Sequence, residues 1–516
     1  MKKFVGICFL VAFTVVLMPS IMAAQEAPVP RSLVRIHLDT RAELYQVAEL
    51  GLLSVCGYSR GPGYVDVVVL PYELNTLRAN QLRLTVMEEN IDDRLEKYRR
   101  TQDQGIYHSV AQMETELQQI HETYPELTTL ESIGQSWEER PIWALKISDN
   151  PLEDEDEPAI LYYGAHHARE WISFEVPLAL AHFLLSNYGS NEEITGLVNE
   201  REIWIVPIVN PDGVVHSQTE YTMWRKNRRK YEQNPTRWWG SGSKDGVDLN
   251  RNYSYMWGNV GASSSPSSDT YHGTEPFSEP EIIALKELTI REQFDAALGF
   301  HSYSELVLYP FGYDYDAHAP DEPVLKELAE GMAAFTGYTP QKITDLYACM
   351  GTSDDWFYGE MGVFAFTIEL GTWFIPDDDE VGPICETNIE SCMFLLERTG
   401  NLVEERVRTI VDIQRYIGAV LKDASNSERS LTTGEQREYM RMIKLRNKLR
   451  DHLVREVLAG EGSEKLAVFA GTLRNLKSGI RPVFRSVVKD IAAALKNRNT
   501  ELPAETLLIL RELLEN

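Results

Sequence analysis

The chain has 516 residues, 43% of them hydrophobic, and carries 50 Lys and Arg against 78 Asp and Glu for a formal net charge of −28. That length exceeds what one hydrophobic core usually serves, and the apolar content excludes a disordered chain, so two or three packed domains are expected. The acidity argues against nucleic acid as a partner, because phosphate binding is driven by Lys and Arg.

In chain order, Lys2-Lys3, the apolar run Phe4 to Met18 and the small pair Ala23-Ala24 read as an export signal over residues 1–24. Its removal gives a secreted or periplasmic protein with no stable membrane span. Met22 departs from the small-x-small pattern at the cleavage site and leaves an uncleaved anchor as the alternative. Cys8 leaves with the signal, and Cys56, Cys349, Cys385 and Cys392 are too few for a disulfide framework. Cys385 and Cys392 either bridge locally or stay as buried thiols.

Residues 25–105 form the next unit. Leu33 to Leu38, Leu52 to Tyr58, Tyr64 to Leu70 and Leu82 to Met87 read as strands, with helices over Arg41 to Leu50 and Tyr72 to Ala79. The order is βαββαβ, a ferredoxin-like arrangement that needs no ligand to be stable. The charged segment Glu88 to Gly105 then reads as a solvated connector, or as a processing site at Arg99-Arg100.

Over residues 106–423 the pattern alternates between strand and helix. Leu161 to Tyr163, Ile203 to Val209, Phe294 to Phe300 and Val363 to Leu370 are apolar runs suited to strands buried on both faces, and Pro177 to Ser186 reads as an intervening helix. An α/β domain with a mixed, mostly parallel sheet flanked by helices is predicted. Ligands gather at the carboxyl ends of the strands in such sheets, where His167, Asn210, His301 and Glu369 fall. The acidic runs Glu153 to Glu157 and Asp377 to Glu380 are either calcium ligands or exposed loops.

Residues 424–516 carry a net charge of +5 against −33 for the rest, which sets a boundary near Asp423. Stripes on Met442, Leu445, Leu449, Leu453 and Val457, and on Val483, Val487, Ile491 and Leu495, predict a small all-α region, with a third helix from Pro503 to Leu514.

Within Gly164 to Trp171, His167 and Glu170 stand three apart, so both side chains can meet one metal ion from a single turn of backbone. Catalytic zinc favours two histidines, one carboxylate and an open fourth position. Seven segments appear in order around this pair: GAHHAREW, VNPDG, MWRKNR, GVDLNRNY, HSYSEL, LYACMGTSDDW and FTIEL. Together they resemble the zinc metallocarboxypeptidases of the carboxypeptidase A/B type over roughly Tyr107 to Lys422. The βαββαβ unit resembles the propeptide domain that precedes the enzyme in that family.

The resemblance implies one Zn2+ held by His167, Glu170 and His301, with His166 as the rival to His167 and Asp248 orienting a liganding imidazole. It makes Glu369 the general base and Arg225 a stabiliser of the tetrahedral oxyanion. Arg251 with Asn250 becomes the anchor for a free α-carboxylate, Tyr347 the tyrosine that closes over the substrate, and Arg169 and Tyr303 accessory contacts. Asp354 falls where an acidic residue accompanies a preference for C-terminal Lys or Arg, although Met350 and Thr352 depart from the common pattern there. The implied activity is a secreted carboxypeptidase acting on peptides or proteins with a free C-terminus, made as a zymogen opened by an activating protease. A zinc amidase acting on cell-wall peptides and a non-catalytic peptide-binding relative are the alternatives.

Overall fold

A computed structural model describes residues 30–40, 53–56, 63–100, 105–153, 155, 157–231, 245–319 and 322–400, with single positions at 43 and 47 and between 407 and 489. The signal segment, the stripe positions named for residues 424–516 and the third C-terminal helix lie outside the described residues.

The N-terminal unit contains β1 (Ser32–Leu38), β2 (Leu53–Cys56), β3 (Gly63–Val69), α1 (Pro71–Ala79) and β4 (Arg83–Glu88). Its antiparallel sheet runs β2-β3-β1-β4. Successive strand residues point to opposite faces, so each strand serves two neighbours. Val34, Ile36 and Leu38 of β1 pack with Val65, Val67 and Val69 of β3 and with Leu77 of α1 in a private core. The alternate positions Leu33 and Val68 belong instead to the main core of the chain. Arg35 and Asp66 share that outward face and stand opposite each other in register.

The charged segment expected as a solvated connector differs from the prediction: Ile91–Arg100 is a helix, α2. The Asn90 side chain accepts from the Asp93 amide, and Asp92 and Asp93 suit the positive end of a helix. Ile91 is buried in the main core, and the Arg94 guanidinium lies 4.8 Å from the Trp373 ring centroid while bonding Asp377 at 3.2 Å. Those partners are some 280 residues away, so no local pattern announces them.

The following domain comprises α3 (Val110–Thr123), β5 (Thr128–Gln135), β6 (Pro141–Ile147), β7 (Ala159–Gly164), α4 (Ile172–Asn187), α5 (Glu192–Asn199), β8 (Glu202–Val206) and α6 (Pro211–Thr219). It continues through α7 (Pro280–Glu292), β9 (Ala296–His301), β10 (Leu306–Tyr309), α8 (Glu322–Thr336), β11 (Thr339–Lys342), β12 (Phe364–Glu369) and α9 (Asp378–Thr399). The eight-stranded sheet runs β11-β10-β12-β9-β7-β8-β6-β5, with a parallel centre of β12, β9, β7 and β8. The predicted mixed, mostly parallel α/β architecture is thus found. Every residue of β7, β8 and β9 is buried, as expected for strands covered on both faces. Helix α9 packs against α4 and α8. Tyr162 reaches that helical side, its hydroxyl donating to the Cys392 carbonyl at 2.8 Å, so Tyr163 points to the other face. The hairpin β5-β6 and the strands β10 and β11 escape the apolar-run criterion because they are short or only partly buried.

Cys385 and Cys392 are free buried thiols. Both lie on α9, where seven residues span about 10 Å, beyond the reach of a disulfide. Asp377 caps the same helix with Glu380 in a reciprocal pair, and Asp378 and Asp379 stand in its first turn. Beyond α9, Val407, Ile410, Val411, Ile413, Ile417 and Val488 are buried in the main core. No helix among the described residues is long and apolar enough to cross a membrane.

One buried group predicts how stability varies with pH. Glu279 accepts from Trp137, Asn227, Arg229 and Ser278, whereas Glu281 accepts from Asn227 at 3.1 Å and leaves one buried oxygen without a partner. Burial pushes the Glu281 carboxyl up from its ordinary 4.5 to about 8. A group whose pKa is raised by folding contributes fully below its unfolded value, and that contribution falls as pH rises towards the folded value. Unfolding free energy is therefore expected to drop by on the order of 4 kcal/mol from this group between the two pKa values. Denaturant titrations of the wild type and Glu281→Gln at pH 5 and pH 8.5 check this; an equal fall in both would refute it.

Candidate active site

The carboxyl ends of β7, β9 and β12 meet at the sheet centre. His301 is the last residue of β9 and Glu369 the last of β12, and the two are paired in register. At the end of β7 the backbone runs close to α4 at Gly164, where a Cβ would stand 2.2 Å from the Ser173 carbonyl oxygen, and the chain turns at Ala165 with φ 53°. That turn delivers His167 and Glu170 just ahead of α4. The Ala168 amide bonds the Arg225 carbonyl at 3.0 Å, which ties this loop to the Arg225 segment.

His167 Nδ1 lies 2.8 Å from Glu170 Oε1, His301 Nδ1 lies 2.8 Å from Glu170 Oε2, and the two ring nitrogens are 3.0 Å apart. All three residues are buried, and their donor atoms fall within 4.8 Å of one another. Ligands about 2.0–2.2 Å from a zinc ion stand about 3–4 Å apart, so this two-histidine, one-carboxylate set fits zinc by chemistry and by spacing. His166 turns away: its Nε2 bonds the Tyr253 hydroxyl at 2.8 Å, and its ring stacks behind His301 at 5.7 Å.

Asp248 supports the group from the far side. Its Oδ1 lies 3.2 Å from His167 Nε2, and its Oδ2 accepts from Arg225 Nε and Nη2 at 3.0 and 2.9 Å. Burial alone would raise the Asp248 carboxyl, but Arg225 and His167 more than offset it and hold the group well below the usual carboxylate range. Arg225 Nη1 faces the site, 3.8 Å from Glu170 Oε1. Burial pushes Glu369 up to about 8 against the opposing pull of His301.

Along the cleft, Arg251 donates to the Gly261 carbonyl (2.9 Å), the Asn250 carbonyl (2.6 Å) and the Tyr347 hydroxyl (3.2 Å). Gly261 has φ 59°, and a Cβ there would stand 2.3 Å from the Ala348 carbonyl oxygen, so only glycine brings this acceptor to the arginine. Asn250 accepts from the Ser353 amide at 2.8 Å and stands 3.4 Å from His301 Nε2. Asp354 is buried on the short helical turn Ser353–Trp356, and the Thr367 hydroxyl donates to its carboxylate from 3.0 and 3.1 Å of the two oxygens. Burial pushes Asp354 up to about 6 despite that bond.

Arg169 and Tyr303 flank Phe374, with the guanidinium 4.6 Å from its centroid and the tyrosine edge-on at 4.8 Å. The Tyr303 hydroxyl donates to Asp66 of the N-terminal sheet at 2.7 Å, and Arg35 bonds both Asp66 oxygens at 2.8 Å. Neither Asp66 nor Thr367 was named from the sequence. A lone aspartate in the Val-rich strand β3, and a threonine two places before Glu369 on the same strand face, were the signals available.

The chain belongs to the zinc carboxypeptidase family, whose profile matches residues 113–391. It is 35% identical over 277 residues to the zinc carboxypeptidase of Saccharothrix mutabilis subsp. capreolus, with 51% of this chain and 62% of that relative covered. It is also 35% identical over 305 residues to carboxypeptidase B of Astacus astacus, with 56% of this chain and 95% of that relative covered. The chain spans just under two thirds of the first relative's length. Among solved structures, thrombin activatable fibrinolysis inhibitor superposes with a TM-score of 0.63 at 26% identity, covering 72% of this chain and 99% of the other.

Proposed function

We propose that this chain is a zinc-dependent carboxypeptidase that removes C-terminal residues from peptides or proteins, with a preference for Lys and Arg. The convergence of His167, Glu170 and His301 beside an in-register Glu369 carries the reading. Zinc, when bound, supplies a Lewis acid that polarises the scissile carbonyl. Glu369 takes a proton from the attacking water and passes it to the leaving amine, as a half-buried carboxylate with a raised pKa suits. Arg225, oriented by Asp248, stabilises charge developing on the carbonyl oxygen. Arg251, with Asn250 and Tyr347 beside it, holds the substrate's free carboxylate through charge-assisted hydrogen bonds. Asp354 at the base of the side-chain pocket favours a cationic residue, because an apolar one leaves a buried charge unpaired.

Metal content measured together with release of Lys, Arg, Phe or Glu from matched peptides tests the activity and its preference. Stoichiometric zinc with fastest release of Lys or Arg is expected. Faster release of Phe would overturn the basic preference alone, and no release from any peptide would overturn the activity.

Residues 25–105 act in the same proposal as an inhibitory propeptide, and the basic, apolar start of the chain supports export. The outward face of the N-terminal sheet meets the cleft through Asp66 on Tyr303, and Arg31 adds a 2.7 Å bond to the Tyr221 hydroxyl. The match to pig carboxypeptidase A1 covers 73% of this chain, more than residues 106–423 alone supply. Limited trypsin treatment at Arg99-Arg100 is expected to raise peptide hydrolysis several-fold. Unchanged activity after complete nicking would rule out the zymogen role.

A further inference from the structure

Beside Asp354 lies a buried polar group that the proposed mechanism does not use. Tyr163 on β7, Gly299 on β9 and Thr367 on β12 form one cross-strand row, directly beneath the row that ends in His301 and Glu369. Residues in register on parallel strands point to the same face. A Cβ on Gly299 would stand 2.9 Å from both Cζ and the hydroxyl oxygen of Tyr163, so the phenol lies across the space that a side chain at 299 would fill. It extends towards Thr367, which bonds Asp354.

Tyr163 and Ser353 are both fully buried, and their hydroxyls have no hydrogen-bond partner beyond each other. The two hydroxyls lie beside each other and close to Asp354. Two buried hydroxyls bonded only to each other still leave lone pairs unused, so they and the Asp354 carboxylate can together accept from a donor that arrives with the ligand. The Thr367 hydroxyl sits astride the two Asp354 oxygens, the position from which a guanidinium would fork onto the carboxylate. An ammonium needs no such edge and offers three donors to separate acceptors.

We propose that the pocket selects C-terminal lysine over arginine, with the lysine ammonium held by Asp354, Ser353 and the Tyr163 hydroxyl. The proposal rests on the carboxypeptidase reading and makes Tyr163 a specificity-determining residue.

The test compares kcat/KM for matched peptides ending in Lys, Arg and Phe, using the zinc-loaded chain after limited proteolysis. The wild type is expected to favour Lys over Arg, and Tyr163→Phe to lower the Lys-to-Phe ratio about tenfold or more, the usual cost of losing a hydrogen bond to a charged group. Equal or faster release of Arg overturns the proposal, as does an unchanged Lys-to-Phe ratio in Tyr163→Phe. Should that variant fail to fold, Ser353→Ala must show the same selective loss, and its absence overturns the proposal too. If the wild type prefers Phe, the basic preference itself fails. If it prefers Lys over Arg and neither variant shifts the ratio, this proposal fails while the carboxypeptidase reading stands.

Discussion

Glu369→Gln is expected to lower kcat by roughly 10²–10⁴, the range supplied by a positioned acid–base group, while zinc content stays stoichiometric. Gln keeps the size of the side chain and removes the ability to accept a proton, and Glu369 is outside the donor set of His167, Glu170 and His301. The proposed role also sets a pH profile. Glu369 must be ionised to act as a base, so kcat/KM falls as pH drops through its pKa. Without metal that pKa is raised to about 8, and a neighbouring dication moves it down by favouring the charged form. The acid limb of the profile is therefore expected between the ordinary carboxylate range and 8. Turnover of the Gln variant close to that of the wild type would remove Glu369 from the mechanism.

His301→Ala is expected to abolish both stoichiometric zinc and turnover, because it deletes one of three converging donors and leaves Glu170 buried beside a single histidine. Asp248→Ala is milder: with His167 no longer oriented, zinc affinity falls about 10–100-fold, as for other outer supports of a liganding histidine. Removing the metal by chelation should abolish activity in the wild type, and added zinc should restore it. Metal analysis of the variants beside Glu369→Gln separates binding from proton transfer. Full zinc occupancy in His301→Ala would mean that the three donors are not the metal site. Bound zinc also stabilises the folded state by mass action, so the wild type, but not His301→Ala, should melt at higher temperature with zinc present.

Much of the central sheet was legible because its strands are apolar along most of their length, a pattern that buried parallel strands produce without help from distant partners. The polar residues closing those runs were equally visible: His301 and Glu369 end β9 and β12 in the structure. In the N-terminal unit the four strands and the helix Pro71–Ala79 were readable from Val alternation and turn residues, while the helix predicted over 41–50 lies, but for positions 43 and 47, outside the described residues. Strands β5, β10 and β11 were not, because β5 and β11 are partly exposed edge strands and β10, though buried, is only four residues long, too short for a clear period. The helix α2 looked like a solvated connector because the partners of Ile91 and Arg94 belong to another domain.

The amino-acid sequence by itself determined the family, the donor types and their spacing, since these are local patterns carried by short segments. Tertiary structure decided what depends on register and on which face a side chain occupies. It turned His166 to Tyr253 and His167 to Glu170, although the two histidines are neighbours in the chain. It held Cys385 and Cys392 apart by two helical turns, brought Asp66 to Tyr303 across 237 residues, and laid Tyr163 over Gly299 beside Thr367. Such contacts follow from strand pairing and domain docking, which bring together residues that no sequence window contains.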